Sequence, residues 1–141
     1  MSVTEHNKAL VRRMEEEIFN KRNLAAVDEF ISPDYVLRTA QAGTPADRDA
    51  VRGFMAMYLE AFPDLHISID QLLAVDDKVI GVFTFTGTHG GDLFGLPPTQ
   101  KRISARQIAI YRIEHGKVVE EWECSDQLGL MQQLGAIPAS P

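Results

Sequence analysis

The chain has a single cysteine, Cys124. One thiol excludes an internal disulfide and any site built on paired thiolates. No apolar run approaches the ~20 residues a membrane helix needs, so no membrane partner is expected. Basic residues are outnumbered, 14 Lys and Arg against 20 Asp and Glu, for a formal charge of −6. Nucleic acid rewards a basic face, and Arg12-Arg13 and Lys101-Arg102 are pairs rather than patches, so no nucleic-acid partner is expected either. His6, His66, His89 and His115 show no ligand spacing, and no metal is expected. The N-terminal "MSVTEHNKALVRRMEEE" lacks the apolar core of an export signal, which makes the cytoplasm the expected location. Repeats, low-complexity tracts and linkers are missing too. A chain of 141 residues then reads as one domain, 1–141, since domains run to roughly 100–200 residues.

What is present is a change of period. Residues 4–21 place Leu10, Val11, Met14 and Ile18 at helical spacing, with Thr4 as N-cap. "NLAAVDEFI" reads as a short second helix capped by Asn23, and a short strand follows over 34–38. A third helix has Thr44 as cap, Pro45 in its first turn, and Val51, Phe54, Met55, Tyr58 and Phe62 as its buried stripe, ending at Pro63. After residue 64 the period becomes two. "LHISIDQLLAV" and "KVIGVFTFTGTH" form one hairpin; "RISARQIAIYRI" and "KVVEEWECS" form another, turning at His115-Gly116. "SDQLGLMQQLG" closes the chain as a short helix stopped by Gly135. The expected class is α+β, helices gathered on one face of an antiparallel sheet.

If His115-Gly116 is a two-residue turn, Tyr111 faces Glu120, Ala109 faces Trp122, Gln107 faces Cys124 and Ala105 faces Asp126. That face mixes aromatic, small and hydrogen-bonding side chains, so a pocket is expected on the side of Gln107, Tyr111 and Trp122. The other face would carry Arg106, Arg112, Glu121 and Glu123 among apolar residues and suits contact between two copies of the chain. In the first hairpin, Phe83, Phe85 and His89 share one side. His89 is read either as a proton-transfer group, since imidazole titrates near neutrality, or as the closure of its strand against Gly90-Gly91. Asp126 is read as the cap of the last helix or as a second acid/base.

The stretches "EAFPDL", "DDKVIGVFTFTGTHGGDLFGLPPTQKR" and "AIYRIEHGKVVEEWECSDQLGLMQQLG" together resemble the SnoaL-like polyketide (ester) cyclases, of the nuclear transport factor two superfamily. The resemblance runs from the first helix to about residue 138 and is densest over 79–135. It implies a curved antiparallel sheet wrapped by helices into a cone-shaped pocket. It also implies cofactor-independent aldol ring closure of a small, largely apolar, carbonyl-bearing substrate. By this reading His89 and Asp126 transfer protons, Arg38 or Gln107 polarises an oxygen, and Tyr111, Trp122, Phe83 and Phe85 contact the substrate. Relatives also commonly form homodimers. The chain departs from the family where an inward aspartate is usual and Ala109 stands instead, and at Arg38 and Gln100. Alternatives are a non-catalytic protein that binds a small hydrophobic molecule, or an epoxide-hydrolase-like enzyme on the same fold.

Overall fold

The computed structural model describes residues 1–139. Helix α1 (Val3–Glu15) starts at Ser2, whose hydroxyl accepts the Glu5 N–H at 3.2 Å, two residues before the expected cap. It continues as a π-helical turn, Glu16–Asn20. Its Val11, Met14 and Ile18 are buried, as their spacing requires. A 3₁₀ turn, Leu24–Ala26, leads into α2 (Val27–Phe30) and then β1 (Ile31–Leu37). Helix α3 (Arg48–Ala61) is capped by Asp47, which accepts the Ala50 N–H at 2.9 Å; Thr44 and Pro45 belong to the approach turn. Strands β2 (His66–Val75), β3 (Lys78–Thr88), β4 (Arg102–Glu114) and β5 (Lys117–Ser125) form the expected meander. Helix α4 (Gln127–Gln133) is capped by Asp126 through the Gly129 N–H, and Gly135, at φ 78°, ends it.

The class is α+β, but the sheet is mixed. Strand β1 lies parallel to β5, giving the order β1-β5-β4-β3-β2 among the described residues. Pro33 offers no N–H, and between Ile31 and Val36 the β1 ladder loses its register.

The same place corrects the hairpin register. The turn is as expected, with His115 at φ 51° and Gly116 at φ 73°, and Ile113 pairs with Val118. The next pair is Arg112 with Glu120, so Val119 is an extra residue, a β-bulge. Both ladders flanking β5 are irregular here, and Val118 and Val119 are both buried. Because side chains alternate, one extra residue sends everything after it to the opposite face. Tyr111 therefore pairs with Glu121, Ala109 with Glu123 and Gln107 with Ser125, while Trp122 pairs with Ile110. Glu121 and Glu123, expected outside, face the helices. Trp122, expected in the pocket, lies on the outer face.

The core fills the space between helices and inner sheet face, with Tyr35, Phe62, Phe83 and Leu93 among its fully enclosed side chains. Outside, Leu73, Val75 and Ile108 remain about half exposed, at 52%, 60% and 48%. No helix of the described residues is long and apolar enough to cross a membrane.

Candidate active site

A cavity of about 260 Å³ opens between the helices and the inner face of β4 and β5. Its walls are mostly apolar: Met14 from the end of α1, Phe19 from the π-helical turn, Val51, Met55 and Tyr58 from α3, Phe85 from β3, Leu130 from α4. Phe54 and Phe94, both partly exposed, stand at its edge, and the Phe94 ring meets Tyr58 edge-on with centroids 6.1 Å apart. Phe19 and Phe85 are likewise edge-on at 5.8 Å.

Four carboxyl groups line this apolar space, Glu15, Glu121, Glu123 and Asp126, of which Asp126 is exposed and caps α4. Glu121 is 6% exposed and accepts the Tyr35 hydroxyl at 2.7 Å. Burial, reinforced by the charge of Glu123, holds its carboxyl well above the ordinary range. Glu123, two residues along the strand and on the same side, is raised by burial and pulled back by a hydrogen bond with Glu121. The two carboxyls thus titrate as a pair in one apolar space, both held above the ordinary range, with Glu121 the more deeply buried and the more strongly raised. Glu15 accepts the Tyr111 hydroxyl at 2.8 Å, and burial pushes it up to about 7. Burial and the nearby carboxylates raise both tyrosines, so Tyr35 and Tyr111 stay protonated donors. Among the described residues, no group of three His, Cys, Asp or Glu side chains is disposed to hold a metal ion.

Of the residues singled out from sequence, the cavity wall contains Gln107, Tyr111, Phe85 and Asp126. Asp126 uses its carboxylate to cap α4. Phe83 lies beneath the wall, fully buried, its ring edge-on to Tyr111 at 6.4 Å and folded over Gly81, where a Cβ would approach it to 2.2 Å. Arg38 is turned to the outer side and pairs with Glu120 at 2.6 Å; Arg112 holds the same carboxylate. Trp122 is on the outer face for the reason given above.

His89 also stands apart from the wall. Its ring is fully buried and packs on Phe62, centroids 5.7 Å apart. Nδ1 accepts the Thr99 N–H at 3.2 Å and lies 3.0 Å from the Thr99 hydroxyl, which puts the ring proton on Nε2, an atom with no hydrogen-bond partner among the described residues. The His89 N–H donates to the Lys101 carbonyl, and its own carbonyl accepts from Gln100. Gly90 and Gly91 both donate to the Ala61 carbonyl, and a Cβ on Gly91 would lie 2.4 Å from the Glu60 carbonyl oxygen. The "THGG" sequence therefore seals the base of the 90–100 loop against the end of α3.

The residues that sequence reasoning missed left signals. Val11, Glu15 and Ile18 share one helical stripe, so Glu15 is an acid on an otherwise apolar face. "VVEE" at 118–121, an apolar doublet followed by an acidic one, breaks period two as a bulge does. Tyr35 sat in a segment too short and too close to Pro33 to assign a face.

An apolar cup with a few buried acids on an α+β frame is the architecture of a small-molecule pocket protein. Comparison narrows the class. The model of the SnoaL-like polyketide cyclase family matches residues 9–134, and the chain belongs to that family. It is 30% identical over 122 residues to a nogalonic acid methyl ester cyclase of Streptomyces nogalater, covering 83% of this chain and 89% of that protein. It is 32% identical over 129 residues to the aklanonic acid methyl ester cyclase DnrD of Streptomyces peucetius, covering 89% and 88%. Among solved structures it superposes on AclR, a candidate hydroxylase from Streptomyces galilaeus, with a TM-score of 0.87 and 30% identity, over 98% of this chain and 86% of the other. The fold is thus that of the SnoaL and nuclear transport factor two-like proteins.

Proposed function

We propose that the protein closes a ring in a small, largely apolar polyketide-like ester by intramolecular aldol addition, with Glu123 as the general base. The observation that carries this reading is the placement of Glu121 and Glu123 side by side on the inner face of β5, lining an apolar cavity. A carboxylate raised toward neutrality by burial is a competent base for a proton alpha to a carbonyl. Glu123 takes that proton, the resulting carbon nucleophile adds to a second carbonyl of the same molecule, and the new alkoxide takes a proton back from the pair. One C–C bond forms, one C=O becomes C–OH, and the mass is unchanged. The enclosed wall contributes by holding the two ends near attack geometry. Glu121 and Glu123 supply the acid/base function that Ala109 cannot.

The relatives' substrates give the test. Aklanonic and nogalonic acid methyl esters, incubated with the protein, should give isomeric products of equal mass. Glu123→Gln should lower kcat by on the order of 10²–10⁴. Binding of both esters without conversion would refute the reading and leave a carrier of such molecules. We also propose that the outer sheet face, with Leu73, Val75, Ile108 and Trp122, pairs two copies about a two-fold axis.

A further inference from the structure

The pair on β5 removes a proton, but the electron density it releases must collect on a carbonyl oxygen, and nothing assigned so far meets that oxygen. Glu15 can. It is 4% exposed, lines the cavity, and stands on an element other than the one bearing the base. Its Oε1 accepts the Tyr111 hydroxyl, and no other hydrogen bond reaches the carboxyl among the described residues. Tyr111 is held protonated and only donates here, so it occupies Oε1 as an acceptor and leaves the acidic proton of Glu15 to Oε2.

The position is fixed from behind. Glu15 is the last α-helical residue before the π-helical turn, and wide turns of this kind are frequent at functional sites. The turn ends at Asn20, whose side chain grips one residue of β2 twice, donating to the Ile67 carbonyl at 3.1 Å and accepting its N–H at 2.8 Å. A helix end tied to the sheet in this way holds its acid at a constant distance from the cavity floor.

The surroundings keep the carboxyl neutral. Facing it are Tyr111 from β4 and, from β5, Glu121 and Glu123, the former engaged by Tyr35 of β1. The side chains of β2 and β3 turned toward α1, among them Ile67, Val79 and Phe83, are apolar. Glu29 of α2 is taken up by Arg13 on the exposed side of the helix. Arg106, at the cavity edge, is exposed, so among the described residues no buried cation of the cavity lining compensates Glu15, Glu121 and Glu123. Like charges in one apolar space cannot all ionise.

We propose that Glu15 acts as a neutral carboxylic acid whose Oε2–H donates a hydrogen bond to the substrate carbonyl oxygen while Glu123 removes the adjacent α-proton. This rests on the aldol reading above. The C–H bond breaks, its proton passes to the Glu123 carboxylate, and its electron pair spreads onto the oxygen held by Glu15; no proton leaves Glu15 in this step. Such a donor, positioned in a dry site, acts on charge as it develops. A preformed neutral donor also avoids the repulsion a second carboxylate would bring.

The test compares two substitutions in two assays. Glu15→Gln keeps an N–H donor and the acceptor for Tyr111 but cannot titrate; Glu15→Leu keeps bulk alone. In turnover of the methyl esters, the wild type should lose activity above about pH 7 as Glu15 ionises. The Gln variant should stay within about tenfold of wild type and lack that alkaline limb. The Leu variant, folded by circular dichroism, should fall by on the order of 10²–10³. The second assay needs no turnover: titration with 2-naphthol, a planar mimic of the enol, followed by its fluorescence. Wild-type affinity should weaken above about pH 7, Gln affinity should hold up to the ionisation of naphthol itself, and Leu affinity should be lower throughout. Absence of turnover together with the expected naphthol profile would overturn the aldol reading but keep Glu15 as the donor. Normal wild-type turnover with a Gln variant as inactive as Leu, with an unaltered alkaline limb in Gln, or with an active Leu variant would overturn the assignment of Glu15 alone. Identical naphthol profiles in wild type and Gln would also overturn it.

Discussion

Holding Glu15 neutral should have a measurable cost at alkaline pH, and Glu15→Gln should remove it. In the folded chain the carboxyl titrates at about 7, against an ordinary 4.5. The folded protein therefore keeps a proton that the unfolded chain has released. Stability contributed by this group is complete below about pH 4.5, falls as pH rises, and is gone above about 7. At about 1.4 kcal/mol for each pH unit, the difference amounts to about 3 kcal/mol. For a chain of 141 residues the unfolding entropy makes this a change of roughly 10 °C in Tm. Glutamine preserves shape and the acceptor for Tyr111 while deleting the titration. Urea denaturation at pH 4.5 and pH 8 should thus show wild type and Glu15→Gln close at the lower pH. The variant should be the more stable by about 3 kcal/mol at the higher. Parallel pH dependence in the two proteins would refute the claim that Glu15 is held protonated.

His89→Ala should lower Tm, by an amount corresponding to about 2–4 kcal/mol for an emptied, unpaired site, while turnover per folded molecule stays within about twofold of wild type. A fall of kcat by 10² or more in a stable variant would restore His89 to the chemistry. On the outer face, Ile108→Asp should convert a dimer to a monomer in sedimentation velocity at tens of micromolar (an order set by ordinary interface strengths), and a wild-type monomer there would rule the interface out. The emission of Trp122, the only tryptophan, should follow that dissociation and stay unchanged on ligand binding; quenching by a bound ester would put the indole back in the cavity.

The order of elements was legible because the period of apolar residues changes once, near residue 64, and the turns are marked by Asp76-Asp77 and His115-Gly116. The family was legible because residues 79–135 carry a specific pattern. The inward face of β4 was legible as well, since Gln107 and Tyr111 are set by alternation along β4 alone and the extra residue lies in β5. The site's chemistry was not. A hairpin counted from its turn is right only until the first irregularity, and Val119 comes two pairs in. The parallel docking of β1, which breaks its own register beside that bulge, depends on contacts far apart in sequence that no local count contains. Glu15 was hidden for another reason. An acid on an apolar stripe is read as a solvated neighbour unless something known to be opposite can hold it, and Tyr111 is 96 residues away.

The extra residue at Val119 makes the lining of the cup a matter of counting rather than of spelling. Removing one residue from β5 between Val118 and Glu120 would, with every other residue kept, bring Trp122 and Cys124 under the helices and turn both acids out to the surface. A pocket that handles protons would become an aromatic one bearing a thiol, and the outer face would exchange its indole for two charges. In a family of this fold, a one-residue length change in this strand is therefore a route between chemistries that no series of point substitutions on the pocket wall would reveal. Two relatives aligned with a gap here should be expected to differ in what they do, even where their remaining residues agree.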